Sequence, residues 1–190
     1  MGRVFHSLAD EEFNSLFSDF SYTAYRLESL QSYDVSYEKG EFALFLAGQE
    51  RGEFPGIADW IEGYVRPAQK AGKRMHRVHV VEEPPSDYVR FECAWSYEHT
   101  VSAGEDVRII PVGRGEWPEG LPHDDYWLFD SRRLVTMHYE TDGAFAAAEI
   151  VDDAEKIVQA NYWRDLAVSR AVPYREFAAR YNGRFLPLPG

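Results

Sequence analysis

The order of apolar and polar positions along the chain predicts helices and strands in alternation. Phe13, Leu16, Phe17 and Phe20 fall at i, i+3, i+4 and i+7, the spacing of one buried face of an amphipathic helix. Ser7, with Asp10 three residues on, reads as its capping-box start. From Tyr22 to Glu28 the period changes to two. Tyr25 and Leu27 alternate with Arg26 and Glu28, as along a strand. A second helix is expected over 36–47, with Phe42, Phe45 and Leu46 turned inward and Gly48 as its stop. Gly, Pro and charge make 49–56 a loop. A third helix over 57–71 presents Trp60, Ile61, Tyr64 and Ala68 on its apolar face, and Pro67, which lacks a backbone donor, is expected to kink or split it.

Residues 74–81 read as a strand. Pro84 and Pro85 open a helix reaching about His99, with Tyr88, Phe91 and Trp95 in its buried stripe. Residues 107–112 form the next strand, and the irregular stretch 113–122 is long enough to suggest a functional loop. Leu121 to Val151 reads as two or three short strands, with turns at Asp130 and at Asp142-Gly143. Asp152 with Glu155 marks a helix running to about Arg170, with Val158, Tyr162, Trp163 and Leu166 on one face. Pro173 breaks it, and 174–181 make a last short helix. There is no internal repeat and no low-complexity linker. These elements describe a single α/β domain over 1–190, with a mixed sheet, parallel at its centre and flanked by helices. Residues 1–56 are expected to pack as a helical and strand segment on a 57–190 core.

Composition narrows the function classes. A chain of 190 residues that is 45% hydrophobic and 15% aromatic supports one globular core. Its net charge of −12 is the wrong sign for displacing counterions from nucleic acid, and suits solubility or a basic protein partner. Cys93 is the single cysteine and lies between Phe91 and Trp95, so it reads as a core residue. No apolar run approaches the ~20 residues of a membrane span, and the expected compartment is the cytoplasm. The scattered histidines lack zinc-site spacing, and no Gly-rich phosphate loop or Gly-x-Ser-x-Gly elbow occurs, so neither metal nor cofactor is expected.

Charged residues on the strands carry the candidate chemistry. Arg26 and Glu28 share one strand face, Arg77 and His79 share another, Arg108 sits on the following strand, and Glu92 lies on the helix after Pro85. Arg26, Glu28, Arg77, Glu92 and Arg108 form either a polar ligand pocket at the sheet edge or an ion-pair network joining strands and helix. Trp127 is either part of a strand buried on both faces or an aromatic platform for that ligand.

Two resemblances add to this reading. Residues 25–28, 77–84, 87–92, 103–111 and 125–130 resemble a family of unknown function from actinobacteria, often encoded near helix-turn-helix regulators. This resemblance implies a non-enzymatic regulatory or interaction module. Such a module would bind that regulator or sense a small ligand, and an antitoxin-like protein masking a basic partner is an alternative. Residues 57–171 are similar in layout to half of a phospholipase D-type domain. There a His-x-Lys-x4-Asp motif holds the nucleophilic His and the phosphate-binding Lys. His123, Asp125 and Asp130 occupy those three positions. This second resemblance implies a phosphodiesterase acting on a phosphate or nucleotide-like substrate, working as a homodimer because two motifs are needed. Asp125 departs from it: an anion in place of the cation turns attraction for phosphate into repulsion.

Overall fold

The computed structural model describes residues 2–188. At the centre of the sheet β2 (Thr23–Glu28), β3 (Arg74–Glu83) and β4 (Asp106–Gly113) run parallel. On the β2 side, β5 (Asp125–Phe129), β6 (Arg133–Tyr139) and β7 (Phe145–Val151) add an antiparallel meander, closed by β1 (Val4–Phe5). β8 (Val172–Pro173) lies antiparallel on β4 at the far edge. Among the described residues the order is therefore β1-β7-β6-β5-β2-β3-β4-β8. The fold is a mixed α/β sheet with helices on both faces. β2 lies between β5 and β3, so the first 56 residues supply a central strand of the sheet.

Side-chain alternation gives the sheet two different faces. One carries Tyr25, Leu27, Val78, Val80, Ile110, Tyr126, Leu128 and Leu134, and is covered by α7 (Ala154–Arg170). The other carries Ala24, Met75, Trp127, Phe129, Val135 and Met137. It is covered by α1 (Glu11–Asp19) and by two interrupted helices. The first runs as α3 (Pro55–Trp60), a π turn (Ile61–Val65) and α4 (Arg66–Lys70). The second runs as α5 (Asp87–Phe91), a π turn (Glu92–Tyr97) and α6 (Glu98–Ala103). The short α2 (Lys39–Leu46) sits outside the second of these, with Phe45 against Phe91 and Trp95, and α8 (Tyr174–Ala179) packs beside β4.

Several element ends differ from expectation. Asp10, not Ser7, caps α1, accepting from the Glu12 and Phe13 amides at 2.9 and 3.1 Å. Asp153, not Asp152, caps α7, where it accepts from Glu155 and Lys156. In α7 the buried seam is Ala160 and Ala167 with Ile157, Trp163 and Leu166 beside them. Val158 and Tyr162 face solvent at 70% and 57% exposure. Two alanines let the helix approach closely enough for the Tyr126 hydroxyl to donate to the Ala160 carbonyl at 3.0 Å. Leu46, expected inward, is also exposed. Pro67 does not split its helix. It comes two residues after the π turn that interrupts the helix, where the backbone bonding pattern is already changing. Among the described residues no helix is long and apolar enough to cross a membrane.

Candidate functional site

Beneath the two interrupted helices the sheet face turns from apolar to charged. In the β2–β3 register Arg26 stands opposite Arg77 and Glu28 opposite His79. In the β2–β5 register Arg26 also stands opposite Trp127. All five side chains rise from the same face. Above them lies a cavity of about 260 Å³. Arg26, Glu28, Arg77 and Trp127 form its floor. Trp60 and Tyr64 come from the first interrupted helix, and Tyr88, Glu92, Ser96 and Tyr97 from the second. Tyr33 and Glu38, from the segment after β2, Tyr139, from the end of β6, and Phe13, Asn14 and Phe17, from α1, also line it.

The π turn at Glu92–Tyr97 sets the second wall. In a regular α-helix, positions 92 and 97 project about 140° apart. The wider turn brings Glu92, Ser96 and Tyr97 to one cavity. Such π turns often occur at functional positions.

The buried charges are largely, but not fully, paired. Arg26 donates through Nη2 to Asp125 at 2.6 Å and to the Tyr139 hydroxyl at 2.9 Å, with Nε 3.8 Å from Glu28. Its guanidinium also lies over the rings of Trp127 and Tyr139. Asp125 is saturated: it accepts from Arg26, from the Ser29 amide and hydroxyl, and from the Tyr33 hydroxyl. Arg77 bridges Glu105 at 2.8 Å and Glu28 at 3.2 Å, and stacks over Tyr97. The Tyr97 hydroxyl sits between Glu28 and His79, and His79 Nε2 meets the Leu30 carbonyl at 2.7 Å. Tyr88 donates to Glu38 at 2.6 Å. Four buried polar atoms of cavity-lining residues make no hydrogen bond: Arg26 Nη1, Trp60 Nε1, Ser96 Oγ and Glu92 Oε2, the last 3.6 Å from His79 Nδ1.

Protonation follows from this arrangement. Burial alone would raise the Glu28 carboxyl, but Arg77, His79, Arg26 and the Tyr97 hydroxyl outweigh it and hold it at about 2. Burial pushes Glu38 up to about 7, against the hydrogen bond from Tyr88. Burial, with the neighbouring charges of Glu28 and Glu38, drives Glu92 well above the usual carboxylate range. Burial likewise raises the Tyr33, Tyr88 and Tyr97 hydroxyls, so they remain donors. The site thus combines two fixed cations, an ionised Glu28 and two carboxyls, Glu38 and Glu92, that burial keeps protonated to higher pH.

Of the residues singled out in the sequence, Arg26, Glu28, Arg77, Glu92 and Trp127 are brought together here. Arg108 is not. It pairs with Val78 in the β3–β4 register, which turns it to the α7 face, where it binds Asp106. The phospholipase-type positions do not converge either. His123 is exposed and stacks on Trp117 with ring centroids 4.3 Å apart. Asp125 is locked under Arg26. Asp130 lies beyond the opposite end of β5, where it accepts from the amides of Ser21, Tyr22 and Thr23. Cys93 is fully buried, and burial raises its thiol. Tyr33, Glu38, Trp60, Ser96, Tyr97 and Tyr139 carry no sequence signal of their own beyond helical or strand periodicity. Among the described residues no group of three or more His, Cys, Asp or Glu side chains is placed to hold a metal ion.

Residues 11–179 match a family model described as Domain of unknown function (DUF6879). No curated protein matches the chain.

Proposed function

We propose that this chain, which belongs to the DUF6879 family, is a non-enzymatic module that binds a small polar ligand above Arg26 and Arg77 and reports it to a protein partner. One observation carries the reading: Arg26 and Glu92, two buried charged residues that line the cavity, each keep a polar atom, Nη1 and Oε2, without a hydrogen bond. Each buried polar atom left unmade costs about 1–3 kcal/mol, which a ligand with complementary groups recovers. Buried ion pairs also add little stability over apolar side chains of the same volume, so their retention here points to recognition.

Sensing is favoured over catalysis because His123, Asp125 and Asp130 occupy three separate environments. For the partner, the net charge of −12 supports a basic protein surface, as a helix-turn-helix regulator or a basic toxin would present.

The reading is tested by thermal melts against a charge-balanced panel of amines, carboxylates, amino acids, sugars and phosphates. At a hundredfold excess over Kd a true ligand adds about 2.7 kcal/mol, a rise of several degrees in Tm. Trp60→Phe, which keeps an aromatic ring but removes the Nε1 donor and part of the ring's bulk, is expected to weaken that rise. A panel without any saturable rise would mark the cluster as a closed structural network.

A further inference from the structure

The balance of charge around the cavity goes further than its mere presence. Five carboxyls are buried in or beside it: Glu28, Glu38, Glu92, Glu105 and Asp125. Asp125 is matched by Arg26, Glu105 by Arg77, and Glu28 lies against both guanidiniums. Glu38 has the Tyr88 hydroxyl alone, and Glu92 has the His79 ring 3.6 Å away. The site therefore carries more acid than base, and the excess sits on the wall opposite the strands. Tyrosine and tryptophan rings line the space between, as they do in sites that hold organic cations. Beside Trp127, Arg26 Nη1 and Trp60 Nε1 are donors that call for an acceptor. A carboxylate on the ligand suits them poorly. Arg26 is already neutralised by Asp125 and Glu28, so a further anion would meet repulsion, whereas a neutral oxygen would not.

Resting on the ligand-binding reading above, we propose that the ligand is a small organic cation, its ammonium or guanidinium facing Glu92 and a neutral oxygen acceptor facing Arg26 and Trp60. Its size follows from the cavity volume of 260 Å³. A cavity of ~150 Å³ holds benzene, so roughly ten non-hydrogen atoms fit. Glu92 is faced by Glu28 on β2, by Arg77 and His79 on β3, by Glu38 ahead of α2, and by Tyr88, Cys93 and Tyr97 on its own helix. Burial, with Glu28 and Glu38, outweighs the cations in that set. The empty site therefore keeps Glu92 protonated, and an entering cation displaces the proton. Affinity rises with pH, by up to about tenfold per unit while the carboxyl still holds its proton.

The test is isothermal titration of the full chain with three probes that share one ring and one length. Tyramine ends in an ammonium, tyrosol in a hydroxyl and 4-hydroxyphenylacetate in a carboxylate; agmatine serves as a cation without a ring. Titrations at pH 6.0 and 7.5, each in two buffers of different ionisation enthalpy, read the proton. At least one of the two cations is expected to bind tenfold or more tighter than tyrosol. It is also expected to bind tighter at pH 7.5, with net proton release, and to lose its advantage in Glu92→Gln. 4-Hydroxyphenylacetate is expected to give no heat. Tyrosol or the carboxylate binding as well as the cations, or a cation preference untouched by Glu92→Gln, would overturn the charge assignment and leave the ligand-binding reading standing. Silence from these probes and from the whole panel would remove both.

Discussion

Glu38 shows how one buried carboxyl makes stability depend on pH. Its proton is held up to a pH of about 7 in the folded chain, against about 4.3 for a free glutamate. The folded state thus binds the proton more tightly than the unfolded one. The stability this contributes is complete below about pH 4 and is lost as pH rises through 7. At about 1.4 kcal/mol per unit the loss is on the order of 3–4 kcal/mol. His76, on the α7 face, works the other way. Burial lowers it to about 3, so its contribution is complete above about 6.5 and is lost as pH falls towards 3. Because these slopes overlap, the clean quantity is a difference. Glu38→Gln retains an acceptor for Tyr88, and its stability relative to wild type is expected to grow by about 3 kcal/mol between pH 4.5 and 7.5 in urea melts. A difference that stays flat with pH would show that Glu38 does not titrate there. At this scale the sequence was informative where alternation fixes a face: Arg26 with Glu28, and Arg77 with His79. It failed for Arg108, because strand parity alone does not reveal register. Arg77 stands opposite Val107, which sends Arg108 to the other side.

Helix ends and turns were legible in kind and missed by a residue or more. Ser7 and Asp10 are both good capping residues, and only the fold decides between them. Ser7 instead closes a local turn, accepting from the Ala9 amide. Asp10→Ala is therefore expected to cost about 1 kcal/mol, and Ser7→Ala no more than a few tenths, by chemical denaturation. Equal costs would contradict the cap assignment. The Asp142-Gly143 turn was readable from the dipeptide, but not its second task. Gly143 has φ of +87°, and its carbonyl accepts from the Asp34 amide, fixing the segment that carries Tyr33. A Cβ there would lie 2.6 Å from the Ser32 carbonyl oxygen. Gly143→Ala is expected to lose at least 1–2 kcal/mol and to weaken ligand binding through Tyr33, an effect readable in the same melts. The π turn at Glu92–Tyr97 was invisible in the sequence, since Tyr88, Phe91 and Trp95 fit a regular helix. Tyr97 was missed for that reason: only the widened turn puts it beside Glu92.

For the whole molecule, alternating helix and strand patterns gave the layered α/β architecture and the parallel centre. The position of β2 was not readable, because a central place between β3 and β5 depends on long-range pairing that no local window contains. That placement matters for function. It sets Arg26 and Glu28 between Arg77 on one neighbour and Asp125 with Trp127 on the other, so the charged floor exists only in the folded sheet. The acidic surface acts at the same scale. A complex with a basic partner is expected to weaken several-fold between 50 and 300 mM salt, as screening shortens to a few ångströms, whereas binding among the partly buried groups of the cavity is expected to change less. A partner complex indifferent to salt would indicate an apolar contact instead. The most direct measurement on the central claim is a ¹H–¹⁵N spectrum that follows the Trp60 indole and the Arg26 guanidinium while the small-molecule panel is titrated in. The account predicts that at least one compound shifts both signals together, saturably and with a single Kd. Signals that stay in place for every compound at millimolar concentration would contradict it.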